Sequence, residues 1–155
     1  MNIAFFLVPK CNVEYIYDTN TLRQGLEKMK FHGYTSIPVI TNEGKYAGSV
    51  SEGDFLWNMI EDENGNTIKK LDIKEIENKK IKDILRVDRT PPVLITATME
   101  TLLTRAMDQN FIPVVDDRGT FMGIITRRDI IRYFYNEKFR DGEQVAVFAD
   151  MFSKV

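Results

Sequence analysis

Apolar residues along the chain follow two rhythms. Short β-branched runs at residues 37–40 and 112–115 predict strands, each followed by turn chemistry, Asn42-Glu43-Gly44 or Asp117-Arg118-Gly119. Second strands are predicted at 45–50 and 120–125. Gly48 and Gly123 lie inside them, where a missing side chain marks a close approach by something else. Helices come next, with Phe55-Leu56 and Met59-Ile60, then Ile130-Ile131 and Phe134-Tyr135, spaced by four. Upstream of each hairpin, Leu22, Leu26 and Met29 keep a helical stripe, as do Met99, Leu102, Leu103, Ala106 and Met107. Thr19 or Asn20 is the expected cap of the first of these helices and Thr98 of the second. Strand-like runs at 13–17 and 93–96 precede them.

These elements form an internal repeat with an offset of 75 residues. Ile37, Pro38, Val39, Gly44, Gly48 and Asp54 align without a gap on Ile112, Pro113, Val114, Gly119, Gly123 and Asp129. Each copy reads strand, helix, strand, strand, helix, so the fold class is α+β with tandem βαββα units. The expected divisions are 8–62 for the first copy, 63–85 for a charged connector, 86–136 for the second copy and 137–155 for a tail. A short helix is expected at 74–84. In the tail, Val145, Phe148, Met151 and Phe152 fall at helical spacing, ready to pack on the body or on a second subunit.

Composition narrows the function. The 155 residues carry a net charge of −2, which offers nucleic acid or an anionic membrane no global attraction, so any anion site must be built locally. Cys11 is the only cysteine, which excludes an intrachain disulfide and a thiolate zinc cluster and suits a cytoplasmic location. The apolar run at 3–8 stops at Pro9, far short of the roughly 20 residues that span a bilayer. His32 is the only histidine, so no histidine pair or histidine-based triad exists. The acidic stretch from Asp62 to Asn66 has Thr67 where a calcium loop needs glycine. No metal site and no enzyme activity are expected.

The phrase hydrophobic-Pro-Val, turn Gly, strand Gly and Ser/Thr-x-x-Asp resembles the CBS domain, named after cystathionine β-synthase. It occurs as Ile37-Pro38-Val39, Gly44, Gly48 and Ser51-x-x-Asp54, then as Ile112-Pro113-Val114, Gly119, Gly123 and Thr126-x-x-Asp129. The resemblance covers roughly residues 8–136 and implies a stand-alone CBS pair, the copies packed through their sheets about a pseudo-twofold axis with two clefts between them. It implies adenosine ligands (AMP, ADP, ATP, S-adenosylmethionine or cyclic di-AMP), no cofactor, a homodimer, and a regulated partner protein whose identity the sequence does not give.

Carried over residue by residue, one cleft takes Thr126, Arg127, Arg128 and Asp129 with Val13, Tyr15, Ile16 and Thr35. The other takes Ser51 and Asp54 with Val93, Ile95 and Asn110. The carboxylate suits ribose hydroxyls, and the helix start with its free N–H groups suits phosphate. Arg127 and Arg128 supply charge-assisted donors where the first copy has Glu52 and Gly53, so the Arg-Arg cleft is expected to be the stronger site. Lys10 and Asn12 are further phosphate donors for a dinucleotide. Plainer roles stand beside these: the aspartates as helix caps, the arginines as a solvated pair, Ser51 and Thr126 as strand ends. A rival for the whole chain is an interaction module that binds no nucleotide and acts through its dimer surface.

Overall fold

The computed structural model describes residues 1–62, 64–67 and 73–139. The sequence-derived order appears twice. The first copy runs β2 (Ile16–Tyr17), α1 (Leu22–His32), β3 (Ser36–Ile40), β4 (Tyr46–Ser51) and α2 (Glu52–Ile60). The second runs β5 (Val93–Leu94), α4 (Met99–Asp108), β6 (Phe111–Val115), β7 (Phe121–Thr126) and α5 (Arg127–Phe139). Before them stand a 3₁₀ turn at Ile3–Phe6 and β1 (Val8–Pro9); between them lie α3 (Ile73–Asn78) and a 3₁₀ turn at Ile81–Asp83. The helix expected at 74–84 is thus two short pieces, and the tail residues Val145, Phe148, Met151 and Phe152 lie outside the described residues. No described helix is long and apolar enough to cross a membrane.

Both copies build the same small sheet. The strand before the helix pairs parallel with the Ile-Pro-Val strand, which pairs antiparallel with the strand after it. Helices α1 and α4 begin where a threonine hydroxyl accepts from a backbone amide. For α4 the cap is Thr98, as expected; for α1 it is Thr21 rather than Thr19 or Asn20. Gln24 completes that cap by accepting from the Thr21 amide, a reciprocal pairing that the earlier residues lack.

Each copy's core is finished by the segment that precedes the other copy. Ile3 and Phe6, from the start of the chain, are buried with Leu102, Ile112, Val114 and Ile125 of the second copy. Ile81 and Ile84, from the connector, are buried with Leu22, Ile37, Val50 and Phe55 of the first. The backbones follow suit. β1 joins the edge of the second sheet by pairing with β7, and an isolated bridge between Ser49 and Arg86 is its counterpart on the first. Removing apolar surface from water at both crossings ties the halves together, because neither core closes without the other's lead segment.

The two strand glycines sit where these segments cross. A Cβ on Gly123 would lie 2.1 Å from the Val8 carbonyl oxygen, and one on Gly48 would lie 3.1 Å from that of Arg86. Both glycines have φ near +150°, which side chains rarely adopt. The hairpin turns also meet. The Phe121 amide donates to the Gly44 carbonyl at 2.9 Å, the Tyr46 amide to Gly119 at 3.1 Å, and Lys45 Nζ to Arg118 at 2.8 Å. Tyr46 stacks on Phe121 across this junction.

Gly123→Ala is expected to lower unfolding free energy by about 3 kcal/mol or more, from backbone strain plus displacement of β1. Gly48→Ala is expected to cost less, since flexible Leu85 is the nearest obstacle. Urea unfolding of both variants checks the order.

Candidate functional site

Segment crossing creates a cavity of about 340 Å³ between the copies. Its first wall is Thr35, Ser36, Ser49, Ser51 and Asp54. Its second is residues 108–111 of the other copy, and the connector, which in the structure runs on without a further element to β5, supplies Arg89 and Thr90. Three separate stretches of chain therefore converge on one polar hollow, within the size range of small-molecule sites.

Asp54 is the charged centre of this hollow, with only 5% of its surface exposed. It stands in the first turn of α2, where Ser51 caps the helix. One carboxylate oxygen, Oδ2, accepts from the Ser51 amide at 2.8 Å and from its hydroxyl at 3.0 Å. The other, Oδ1, accepts from Arg89 Nη1 at 3.2 Å, with Arg86 Nε at 3.7 Å. The capping pattern fixes the carboxylate, and the arginines balance a charge that would otherwise be costly to bury. Both guanidiniums remain half-exposed.

The connector that carries them is held in place. Tyr46 donates its hydroxyl hydrogen to the Thr90 carbonyl at 2.7 Å, and the Ser49 and Thr90 hydroxyls share a hydrogen bond at 2.6 Å. Burial pushes the Tyr46 phenol far above the ordinary tyrosine range, so it stays a neutral donor at physiological pH.

The Thr126 element repeats the geometry with different charges around it. The Thr126 hydroxyl donates to Asp129 and accepts from its amide, and Arg132 lies 3.6 Å from the carboxylate on its own helix. Arg127 is engaged elsewhere. Its Nε donates to the Ala106 carbonyl at 2.6 Å and to Gln109 at 3.2 Å, and its Nη2 to Met107 at 3.3 Å. It thus closes the C-terminal end of α4, where carbonyls lack helical partners and a cation is favoured. Arg128 is exposed.

The structure brings Ser51, Asp54 and Asn110 together, as the sequence reading grouped them. Thr35 lies in this same hollow rather than with Thr126, because it immediately precedes β3 and its carbonyl accepts from the Glu52 amide. Val93 and Ile16 occupy equivalent register positions, opposite Val114 and Val39, and both side chains are buried in their cores. Ile95 packs against the second core. None of these three offers a side chain to the cavity, since strand alternation turns it inward. Val13 is half-buried at the end of a tight turn, its amide donating to Lys10. Tyr15 lies beside Phe121, with Lys10 and Lys28 over its ring. Arg86 and Arg89 escaped the sequence reading. The visible signal was two arginines just before Thr90-Pro91-Pro92, at the entry to the second copy.

Arg127→Ala is expected to lower unfolding free energy by about 1–2 kcal/mol, by orphaning the α4 carbonyls. Arg128→Ala is expected to change it by less than about 0.5 kcal/mol. Denaturant titration of the pair separates a helix-closing arginine from a solvated one.

The chain is similar in sequence and in fold to known proteins. An uncharacterised protein of Methanocaldococcus jannaschii is 28% identical over 121 residues, which covers 73% of this chain and 40% of that protein. The chain spans 22% of a Methanococcus vannielii homoserine O-acetyltransferase that it also matches. Among solved structures, CbpB in complex with c-di-AMP has a TM-score of 0.78 at 26% identity, covering 91% of this chain and 90% of that one. A CBS domain protein from Streptococcus pneumoniae has a TM-score of 0.73 at 27% identity, covering 83% and 82%. The CBS domain model matches twice, at residues 7–61 and 81–136, the two βαββα units described above. With both units matched, the chain belongs to the CBS domain family and carries its domains as a pair.

Proposed function

We propose that this CBS pair is a regulatory module that binds an adenine nucleotide in the Asp54 cavity and signals its occupancy to a partner protein. The observation that carries the reading is the meeting, in one inter-copy hollow, of a fixed carboxylate with the half-exposed Arg89 guanidinium, while Arg86 approaches the same carboxylate at 3.7 Å. Asp54 suits a ribose diol, Arg86 and Arg89 suit a phosphate, and the backbone of residues 108–111 offers polar groups to a base. The sequence favoured the Thr126, Arg127, Arg128 and Asp129 cleft. With Arg127 bonded to α4, the phosphate donors near the Asp54 cavity make it the better candidate, and the Thr126 side the weaker one. The c-di-AMP bound to CbpB supports an adenine-nucleotide ligand here, with AMP and ATP as the mononucleotide alternatives. The groups that converge on the hollow suit binding: a carboxylate held by its helix cap, guanidinium donors and backbone polar groups.

A cytoplasmic homodimer completes this reading. Phe31 on α1, Trp57 on α2, Met107 on α4 and Ile131 on α5 all expose more than half their surface, an apolar display on helices of both copies that suits self-association. The same display supports the rival reading of an interaction module that needs no nucleotide.

Calorimetry with AMP, ATP and cyclic di-AMP separates the two readings. Binding of at least one is expected, weakened about tenfold or more by Arg89→Ala or Asp54→Ala and changed less than about threefold by Arg127→Ala. No heat from any of the three would favour the rival.

A further inference from the structure

The Asp54–Arg89 contact has two faces, because the same groups that suit a nucleotide satisfy each other when none is present. Asp54 Oδ2 is held by two bonds from Ser51, so Oδ1 is the oxygen left to a ligand. That oxygen already accepts from Arg89 at 3.2 Å and faces Arg86 at 3.7 Å. A ribose diol with two hydroxyls to place, on a carboxylate whose Oδ2 is already taken, needs both acceptor sites of Oδ1 and so competes with the guanidinium there. A phosphate reaching Arg89 competes with the carboxylate for one guanidinium.

We propose that Arg89, assisted by Arg86, is an internal competitor of the ligand: a side-chain latch on Asp54 that selects for molecules carrying a diol and a phosphate together. This rests on the nucleotide reading above and adds regulation of the same site. A nucleoside alone would take Asp54 and leave the guanidiniums without their counter-charge. A phosphate alone would take the guanidiniums and leave a carboxylate, 5% exposed, without its cation. A nucleotide exchanges both partners at once: its hydroxyls hydrogen-bond the carboxylate while its phosphate takes the guanidiniums.

The connector's anchoring confines this exchange to side chains. Backbone pairing between Arg86 and Ser49, with the bonds from Tyr46 and Ser49 to Thr90, holds the segment at both ends. The Arg86 and Arg89 side chains, 52% and 54% exposed, keep the freedom to turn outward. Latch release therefore needs no rearrangement of the sheet.

The latch predicts opposite signs for two ligands. Arg89→Ala is expected to weaken AMP about tenfold while tightening adenosine roughly threefold to fivefold, since the diol no longer competes with a cation. Arg89→Gln, which keeps much of the bulk, is expected to behave alike, and thermal melts of both variants confirm folding. A simple phosphate donor would weaken AMP and leave adenosine unchanged; that result, or weaker adenosine binding, overturns the latch but keeps the nucleotide site. Wild-type protein that binds neither AMP, ATP nor cyclic di-AMP overturns both.

Discussion

The crossing of each lead segment into the opposite copy is the constraint on which the rest depends. Ile3 and Phe6 close the second core, and Ile81 and Ile84 close the first. A glycine at each crossing lets the backbones approach: Gly123 beneath Val8, Gly48 beneath Arg86. Had either position carried a side chain, the lead segment would stand off from the sheet. The same contact that completes a core thus also sets where the next residues run. For the connector, those residues are Arg89 and Thr90, which reach the inter-copy cavity because Arg86 is pinned at Ser49. Packing and site chemistry share one cause.

Duplication explains why the hydroxyl–aspartate element occurs twice, and divergence explains why its surroundings differ. The Ser51 and Thr126 elements both join a hydroxyl to an aspartate three residues on. Around the first, the connector brings arginines. Around the second, the equivalent lead segment is near Glu14, which pairs with Lys28 at 3.2 Å and lies 3.5 Å from His32. Lys10 of that segment lies over the Tyr15 ring, and Arg127 is bonded to the end of α4. One ancestral geometry has come to carry two unlike electrostatic settings.

Much of the fold was legible because it rests on local rules. Residues 37–40 and 112–115 read as strands from their β-branched content, and Gly48 and Gly123 marked a close approach that the structure shows. Thr98 was readable as a cap, whereas Thr21 required seeing that Gln24 answers it. The site was harder to read, since it depends on contacts distant in sequence. Arg127 looked like a phosphate donor from its place beside Thr126, and nothing local shows that α4 ends against it. Val93, Ile16 and Ile95 were carried over from the resemblance, which does not say that pairing Ile16 with Val39 and Val93 with Val114 turns their side chains into the cores. Arg86 and Arg89 matter only once the connector folds across the first sheet.

The most direct test of the account is a crystal structure of this chain grown with an adenine nucleotide. The account predicts the ligand between the copies, its ribose on Asp54, and its phosphate on Arg86 or Arg89, both turned away from the carboxylate. A nucleotide seated against Thr126 and Asp129, with Arg89 still on Asp54, would contradict it.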